Sequence, residues 1–519
     1  MAGCLMLQGT SSHVGKSVLA AALCRILRDD GIRVAPFKSQ NMSLNSYVTR
    51  EGGEMGRAQV LQAQAAGIEP HTDMNPVLLK PSAGGKMQVV LEGRPVGHYS
   101  AGEYGELLPE LLPAVLAALR RLRRDFEVVI MEGAGSPAEI NLADRDIANM
   151  RMAVAAEAPV ILVGDIDRGG VFASLVGTLE LLPWRERRLV SGFIINKFRG
   201  DFGLLEGGLS WLESRTGRPV LGVVPYLYDL GLEEEDSVSL DEARAAARAE
   251  GEEEGEEEGD ALDIAVIRLP HISNATDFEP LERERGVRVR FVRGPARLGR
   301  PDAVIVPGTK STVHDLAWLR ESGLASRIAG LAESGVPLIG ICGGYQMLGE
   351  SIVDPEGVES AEEKAAGLGL LPLVTVFGGE KSTHRVKARA ARDIPLLGLD
   401  AASPPFSGYE IHMGRSYLPV RPPLRIVERD GAAVEAGEGA MREDLPVFGC
   451  YLHGLFENPC VREGFLAALE RRRGLRARGP RRGRDWDTLR EESLDRLARA
   501  VRESLRMDLV YRLSGLARA

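Results

Sequence analysis

The sequence has little of what a membrane protein, a disulfide-linked protein or a nucleic-acid binder needs. No uninterrupted apolar run is long enough to span a bilayer, and the stretch 107–119 is interrupted by Pro109 and Pro113. Five cysteines without paired spacing predict reduced thiols. A formal net charge of −10 argues against a nucleic-acid partner, which needs a basic surface. Because the N-terminus also lacks a signal-peptide pattern, we expect a cytoplasmic protein.

The sequence contains enough apolar residues for more than one hydrophobic core. The chain has 519 residues, 44% hydrophobic and 27% charged, which is typical of a soluble protein of two or three domains. Short apolar runs alternate with amphipathic helices over residues 1–231, which predicts a doubly wound, mostly parallel α/β sheet. The predicted strands are 4–8, 33–38, 128–132, 160–165, 191–196 and 220–224, and a helix is predicted at 16–30.

Two segments of biased composition separate or follow the α/β patterns. Residues 232–260 are rich in glutamate and predict a solvated linker with a short helix at 240–249, although a metal or a basic partner is an alternative. A second doubly wound α/β domain is predicted at 261–470, with strands at 264–269, 303–306 and 337–341. Residues 471–519 hold an arginine-rich segment and an amphipathic helix. RNA binding by the arginines is disfavoured because no aromatic residues alternate with them.

A phosphate-binding loop follows the first predicted strand. Gly9, Thr10, Gly15, Lys16 and Ser17 belong to the run Gly-Thr-Ser-Ser-His-Val-Gly-Lys-Ser, which opens a helix as such loops require. We predict that backbone N–H groups wrap phosphates, that the lysine reaches the outer phosphates of ATP, and that the serine hydroxyl binds Mg²⁺. The alternative is a glycine-rich turn with an accidental lysine.

The loop is one residue longer than the usual form and resembles that of the dethiobiotin-synthetase branch of phosphate-loop enzymes. Two strand ends fit the same branch. Glu132 can hold Mg²⁺ facing the loop, and Lys38 can neutralise charge moving onto the γ-phosphate. A plain strand-end turn and a solubilising lysine are the alternatives. The resemblance also implies that Asn196 contacts the adenine base.

The second domain contains a nucleophile signature. An apolar strand runs into Cys342, which lies between glycines ahead of a helix, a geometry that suits a strained nucleophile elbow. Gly340-x-Cys342-x-Gly344-x-Gln346 resembles the class I glutamine amidotransferases. We predict an oxyanion hole from backbone N–H groups of Gly343 and of Gly308 or its neighbour, with Gln346 in the glutamine site.

The predicted general base is His453, in the run Gly-Cys-Tyr-Leu-His-Gly-Leu-Phe-Glu that starts at residue 449. Class I amidotransferases usually have His-x-Glu, but position 455 is leucine and Glu457 is too far along to assume that it substitutes. The group that orients the imidazole is therefore left open. Cys450 and Cys460 flank the histidine without completing a zinc ligand set, and we predict that both belong to the core.

Several segments carry a closer resemblance: 36–47, 75–81, 165–172, 196–201 and 408–414. Together they are similar to the cobyric acid synthase family over residues 3–459. The resemblance implies amidation of the b, d, e and g carboxylates of adenosylcobyrinic acid a,c-diamide, with ATP and Mg²⁺ as cofactors and glutamine as nitrogen donor. It implies a corrinoid and glutamine as small-molecule partners, and neither nucleic acid nor membrane.

Two other functions fit parts of the sequence. Cobyrinic acid a,c-diamide synthases have the same phosphate loop and the same cysteine and histidine. The polar run at 39–46 nevertheless favours the cobyric acid synthase family. A partitioning-type ATPase switch has a similar phosphate loop, yet it has no use for Cys342 and His453.

The chemistry also predicts a shielded path for ammonia between the glutaminase site and the ATP site, because ammonia is mostly protonated in neutral water.

Substrate contacts are the least determined. A polar run follows the second predicted strand, where open sheets bind ligands, although such residues also form capped turns. The candidates are Ser39, Gln40, Asn41, Ser43, Asn45, Ser46 and Glu139, with Asp146 and Asp167 at lower weight. His412 either lines the glutamine site or belongs to the core.

Overall fold

The computed structural model describes residues 2–228, 230–232, 261–360, 362–475 and 485–516. The acidic segment from residue 233 to 260, with the helix predicted at 240–249, lies outside these residues. Much of the arginine-rich segment, 476–484, does so as well. Within the described ranges, no helix is long and apolar enough to cross a membrane.

The first domain is built on a six-stranded parallel sheet of order β12-β11-β10-β1-β9-β2. Its strands are β1 (Gly3–Gly9), β2 (Val34–Phe37), β3 (Gln40–Met42), β4 (Ser46–Val48), β5 (Glu54–Gly56), β6 (Val77–Pro81), β7 (Met87–Leu91), β8 (Arg94–Tyr99), β9 (Val128–Glu132), β10 (Val160–Asp165), β11 (Val190–Phe198) and β12 (Val220–Pro225). Its helices are α1 (Lys16–Asp29), α2 (Arg57–Ala65), α3 (Ala101–Asp125), α4 (Met150–Ala156), α5 (Val171–Leu181), α6 (Trp184–Arg187) and α7 (Glu206–Thr216).

The central strand β1 explains why this sheet is covered on both faces. Leu5 and Leu7 pack into one apolar cluster with α1, whereas Cys4 and Met6 pack into another with α3. Successive strand residues point to opposite faces, so a continuous apolar run requires helices on both sides. The doubly wound arrangement predicted for this domain is confirmed.

An insertion between β2 and β9 was not predicted. It forms a four-stranded sheet of order β3-β6-β7-β8, a two-stranded ribbon of β4 and β5, and helix α2. Its strands are three to six residues long, too short for a clear periodic pattern. The ribbon and α2 contact the second domain.

The second domain has a sheet of order β14-β13-β15-β16-β24-β23, parallel except for β23, and an antiparallel sheet built around β19 and β20. Its strands are β13 (Leu262–Ile267), β14 (Val287–Val292), β15 (Ala303–Val306), β16 (Leu338–Ile341), β17 (Ser351–Val353), β18 (Lys364–Ala366), β19 (Val374–Ala390), β20 (Phe406–Tyr417), β21 (Leu424–Arg429), β22 (Ala432–Glu438), β23 (Ala440–Met441) and β24 (Val447–Cys450). Its helices are α8 (Glu279–Glu282), α9 (Pro295–Leu298), α10 (Thr312–Glu321), α11 (Leu324–Glu333), α12 (Gly343–Met347) and α13 (Pro459–Arg473).

The C-terminal helices return to the first domain. Helix α14 (Trp486–Ser504) buries Leu494, Leu497 and Val501 in the cluster that contains α1, and α15 (Met507–Leu513) follows it. Arg25 of α1 donates to Glu491 and Asp495 of α14 at 2.7 and 2.9 Å. The predicted amphipathic helix therefore packs on the first domain.

Candidate functional site

Cys342 sits on a strained turn between β16 and α12. Its backbone has φ 52° and ψ −112°, a conformation that side chains other than glycine rarely adopt. A Cβ on Gly344 would overlap the carbonyl of Val306, so the turn can pack against β15 only without a side chain there. The glycines of the signature are thus explained by close backbone approach around the cysteine.

The orienting carboxylate that the sequence left open comes from another segment. Asp277 Oδ2 lies 2.7 Å from Nδ1 of His453, and Asp277 Oδ1 accepts a hydrogen bond of 3.0 Å from the backbone N–H of Gly454. Both side chains are 1% exposed. Asp277 belongs to a 3₁₀ turn, Ala275–Phe278, which no local motif singles out. Only the fold brings it beside His453.

The environment of His453 stabilises its protonated form. Burial lowers the pKa of the imidazole, but the charge of Asp277, interaction with Cys342 and hydrogen bonds to both outweigh it and raise the pKa to about 10. Tyr409 stacks on the imidazole at 5.3 Å between ring centroids. Asp277 and Cys342 together therefore favour an imidazolium at His453, beside the sulfur nucleophile.

The predicted oxyanion residues line the same place. A Cβ on Gly308 would lie 3.0 Å from His453 Cε1 and 3.5 Å from Cys342 Cβ, and one on Gly343 would lie 3.1 Å from the backbone nitrogen of Thr309. Gln346 is buried; its Nε2 donates to the carbonyl of Met413 at 2.8 Å, and its Oε1 accepts from Thr312 at 3.2 Å. The structure thus brings the predicted amidotransferase residues together.

One cavity lies beside Cys342, and both domains line it. Its lining residues are Ser46, Lys80, Ser273, Asn274, Thr309, Lys310, Thr312, Cys342, Gly343, Gln346, Glu359, Lys381, Ile411, His412, Met413 and His453. Ser46 and Lys80 belong to the insertion of the first domain. His412 stacks on Tyr451 with ring centroids 3.6 Å apart, so it both lines the cavity and packs in the core.

Two of the charged groups that line this cavity, Lys310 and Glu359, have opposite charges. Burial and the charge of Lys381 lower the pKa of Lys310 to about 8. Burial raises the pKa of Glu359 to about 7, against the opposing charge of Lys310. The backbone N–H of Thr312 donates to Glu359 at 2.8 Å and holds its carboxylate in place. The cavity therefore offers a cationic and an anionic partner to a ligand, beside Lys80 and Lys381, which pair with Glu54.

The lysine of the phosphate loop is hydrogen-bonded to backbone carbonyls in and near the loop. Lys16 Nζ donates to the carbonyls of Ser11 at 3.0 Å and Gly135 at 3.1 Å. Gly15 has φ 95°, and a Cβ there would overlap the Asn196 amide, which donates to the carbonyl of Val14 at 2.8 Å. Asn196 thus supports the loop, and its contact with adenine stays a prediction.

The predicted metal ligands meet at the end of β9. Glu132 Oε1 accepts from Ser17 Oγ at 2.7 Å and from Lys38 Nζ at 2.9 Å. Gln62 Nε2 donates to Glu132 Oε2 at 2.6 Å, while Gln62 Oε1 is buried without a hydrogen-bond donor among the described residues. Hydroxyl, carboxylate and an unused amide oxygen are the ligands that Mg²⁺ prefers, so the residues fit the ion.

Most of the predicted substrate residues are engaged inside the protein. Ser39 donates to the carbonyl of Ile147, Asn41 to Gln59, and Ser43 accepts from the backbone of Asn45. Asn45 and Ser46 bond to the second domain, and Gln40 accepts from Tyr104. Glu139 is exposed, whereas Asp146 and Asp167 are bonded to Asn149 and Arg199. Hydrogen bonds within the protein account for the polar residues of the run. Their contact with the corrin substrate stays a prediction.

Neither cysteine that flanks His453 contributes to a metal cluster within the described ranges. Cys450 is buried in the core of the second domain, and Cys460 packs against that core. A group with the spacing of metal ligands is found instead at His271, His314 and Asp315. Asp315 there receives hydrogen bonds from the backbone of His271 and from Thr309, which explains its burial structurally.

A nucleophile–histidine–aspartate site beside a second, phosphate-loop domain defines a glutamine amidotransferase joined to a nucleotide-binding domain. Family models agree with both halves. Residues 263–461 match the CobB/CobQ-like glutamine amidotransferase domain, and residues 5–239 match the CobQ/CobB/MinD/ParA nucleotide binding domain. The glutamine-dependent amidotransferase predicted from sequence is thereby confirmed as the enzyme class.

Full-length relatives identify the family. The chain is 52% identical to the cobyric acid synthase of Pelotomaculum thermopropionicum over 99% of its own length and 97% of that protein. It is 51% identical to that of Moorella thermoacetica (100% and 98% covered) and 52% identical to that of Sorangium cellulosum (99% of each). The chain belongs to the cobyric acid synthase family, whose members act in cobalamin biosynthesis. Membership excludes the partitioning-type switch.

Proposed function

We propose that this enzyme uses ATP and glutamine to convert the b, d, e and g carboxylates of adenosylcobyrinic acid a,c-diamide into amides. The observation that carries the proposal is the cavity at Cys342, which residues of the ATP-binding domain help to enclose. An isolated glutaminase would not need Ser46 and Lys80 there. Enclosure by the partner domain favours delivery of ammonia to an acceptor bound in the same chain.

On the ATP side, the carboxylate oxygen attacks the γ-phosphorus and ADP leaves, so that an acyl phosphate forms. Lys16 binds the phosphates, and Lys38 stabilises charge as it moves onto the transferred group. Ser17, Glu132 and Gln62 are the residues that would hold Mg²⁺, which neutralises phosphate charge when bound. Ammonia then displaces phosphate from the acyl carbon, and the amide results.

On the glutamine side, the sulfur of Cys342 attacks the side-chain amide carbon. Protonated His453 gives its proton to the departing nitrogen, so ammonia leaves and a thioester remains. Water activated by the neutral imidazole then cleaves the thioester and releases glutamate. Asp277 holds the ring in the tautomer that both steps need.

Glutamine carries opposite charges at its α-carbon, and the cavity offers partners for both. Lys310 is the partner for the carboxylate and Glu359 for the ammonium group. The lowered pKa of the lysine and the raised pKa of the glutamate match groups that become fully charged once a zwitterion lies between them. This assignment explains why an acidic and a basic residue face an otherwise enclosed site.

Mass spectrometry of adenosylcobyrinic acid a,c-diamide incubated with enzyme, glutamine, ATP and Mg²⁺ tests the proposal. Four successive acid-to-amide conversions are expected. Amidation of cobyrinic acid instead, with the a,c-diamide unchanged, would replace the proposed substrate with that of the diamide synthases. In the Cys342→Ala variant, loss of glutamine-dependent conversion with rescue by ammonium is expected.

A further inference from the structure

Helix α2 is largely buried, and it contacts the ATP site through its second turn and the surroundings of the glutaminase site through its first residue. In its second turn, Gln62 donates to Glu132 and, at 3.3 Å, to the carbonyl of Ser17. Gln59 also approaches Glu132 Oε2, at 3.5 Å. Helix α2 is therefore hydrogen-bonded to Glu132, the carboxylate that also accepts hydrogen bonds from Ser17 and Lys38.

The first residue of the same helix reaches the surroundings of His453. Arg57 Nε donates to Thr276 Oγ1 at 3.3 Å, next in sequence to Asp277, and its guanidinium pairs with Glu457 at 2.9 Å. The guanidinium also lies 5.7 Å from the centroid of the Tyr409 ring, which stacks on His453. The arginine comes from the ATP-binding domain, yet its side chain is 2% exposed among residues of the glutaminase.

A second set of hydrogen bonds fixes the turn that carries Asp277 to the same helix. The backbone N–H of Ala275 donates to Asn45 Oδ1 at 3.1 Å, and the carbonyl of Asn45 accepts from the backbone N–H of Arg57 at 3.2 Å. The backbone N–H of Ser46 donates to Asn274 Oδ1 at 2.8 Å. Arg57 and Asn45 thus hold the aspartate turn from two directions.

A short helix transmits displacement because its hydrogen bonds make it stiff. A rise of about 1.5 Å per residue places Gln62 about 7.5 Å along the axis from Arg57. Binding of a cation by Ser17 and Glu132 would change the hydrogen bonds that Glu132 now makes to Gln62 and Lys38. A tightly packed interface responds to such a change as a unit.

We propose that Arg57 is a positioning residue through which the state of Glu132 in the ATP site sets the arrangement of Asp277 and His453 in the glutaminase site. This inference rests on the proposed function. Its consequence is that glutamine hydrolysis is favoured when the ATP site is loaded, so that ammonia is released when an acyl phosphate can accept it. Arg57 touches neither substrate nor reacting atoms and acts through Thr276, Glu457 and Tyr409.

The test measures alkylation of Cys342 by iodoacetamide in full-length enzyme, with and without Mg²⁺ and ATP. This rate reports the thiol environment independently of amidation. In the wild type we expect the two rates to differ by about fivefold or more, the lower range for coupled sites. In Arg57→Ala the ratio should fall to about one, whereas Arg57→Lys should retain part of it. Thr276→Val, which keeps the side-chain volume, should also lower the ratio and guards against misfolding of the arginine variant.

Arg385→Ala is the matched control. Arg385 is another arginine of this interface, pairing with Glu69 at 3.3 Å and approaching Tyr47, but it contacts neither Thr276 nor Glu457. Its ratio should equal that of the wild type. A full response in Arg57→Ala, or an equal loss in Arg385→Ala, would overturn the inference.

Amidation measured in parallel separates the two proposals. Arg57→Ala should still amidate the corrinoid when ammonium replaces glutamine, because its ATP site keeps its ligands. A wild type that amidates with glutamine but shows no response of Cys342 to Mg²⁺ and ATP contradicts only the coupling. A wild type that amidates with neither nitrogen source contradicts the proposed function itself.

Discussion

Asp277 Oδ2 and His453 Nδ1 lie 2.7 Å apart although 176 positions separate them in the chain. In class I amidotransferases the orienting carboxylate is usually two residues after the histidine, where this chain has Leu455. Here a 3₁₀ turn after β13 supplies it. The turn is bonded to the ATP-binding domain, so the orientation of the general base depends on both domains.

Replacement of Asp277 by asparagine should abolish most glutamine-dependent activity. The amide keeps the volume but removes the charge that holds the imidazole in its working tautomer, and we expect kcat to fall by about 10²–10⁴-fold. Ammonium-dependent amidation should be retained, since the ATP site is unchanged. Steady-state rates with each nitrogen source check this. A glutamine-dependent rate within threefold of the wild type would remove the aspartate from the catalytic arrangement.

The pKa values of His412 and His453 should be shifted in opposite directions from the ordinary value of a histidine. Burial lowers the pKa of His412 to about 3, so it stays neutral at every ordinary pH. Burial also lowers the pKa of His453, but Asp277 and Cys342 raise it to about 10, so its imidazole stays protonated up to that pH. NMR of selectively labelled histidine, assigned with single-histidine variants, measures both. In Asp277→Asn the His453 resonance should titrate at a clearly lower pH.

The same shift has a consequence for stability. The folded pKa of His453 lies above its unfolded value of about 6.5, so its contribution is complete below that pH and is lost as the pH rises towards 10. Urea unfolding of wild type and Asp277→Asn should therefore differ most near pH 6 and converge at high pH. A difference that grows with pH would contradict the charged pair.

Recognition of glutamine by Glu359 and Lys310 predicts a selective change in KM. Glu359→Gln should raise KM for glutamine by about 10–150-fold, the value of one charge-assisted hydrogen bond, with a smaller effect on kcat. An analogue without the α-amino group should be hydrolysed equally by wild type and variant. Lys310→Gln should show the same pattern with an analogue that lacks the α-carboxylate.

Glu356→Gln is the control for these variants, because Glu356 is exposed on the same loop. Its KM should match the wild type. If Glu359→Gln and Lys310→Gln weakened the binding of glutamine and of both analogues equally, the residues would shape the cavity without contacting the zwitterion.

The sequence predicts the α/β framework well and the interface between the domains poorly. All nine predicted strands are present, with ends shifted by at most two residues, because buried parallel strands are continuous apolar runs. Cys342 and His453 stand out because glycines and apolar residues surround them. Asp277 and Arg57 carry no such local signature. Asn45 shows the same limit, since no local pattern indicates that it bonds the other domain.

The buried carboxylate of Glu54 should be among the most sensitive positions for stability. It is buried between Lys80 of its own domain and Lys381 of the other, and pairs with both. Burial raises its pKa, but the two lysines outweigh burial and hold the pKa far below its ordinary value. Its contribution is therefore present above the unfolded pKa of about 4.5 and is lost only as the pH falls below it.

Glu54→Gln would leave two ammonium groups in a buried site with no compensating charge. We expect the free energy of unfolding at neutral pH to fall by about 3–5 kcal/mol, as measured for buried pairs that lose one partner. Asp125→Asn, which breaks an exposed pair with Arg124, should leave the free energy of unfolding close to that of the wild type, because solvent screens exposed pairs. Combining Glu54→Gln with Lys381→Met should recover part of the loss, because one unpaired charge is then removed. No recovery in the double variant would mean that the lysines are not the source of the instability.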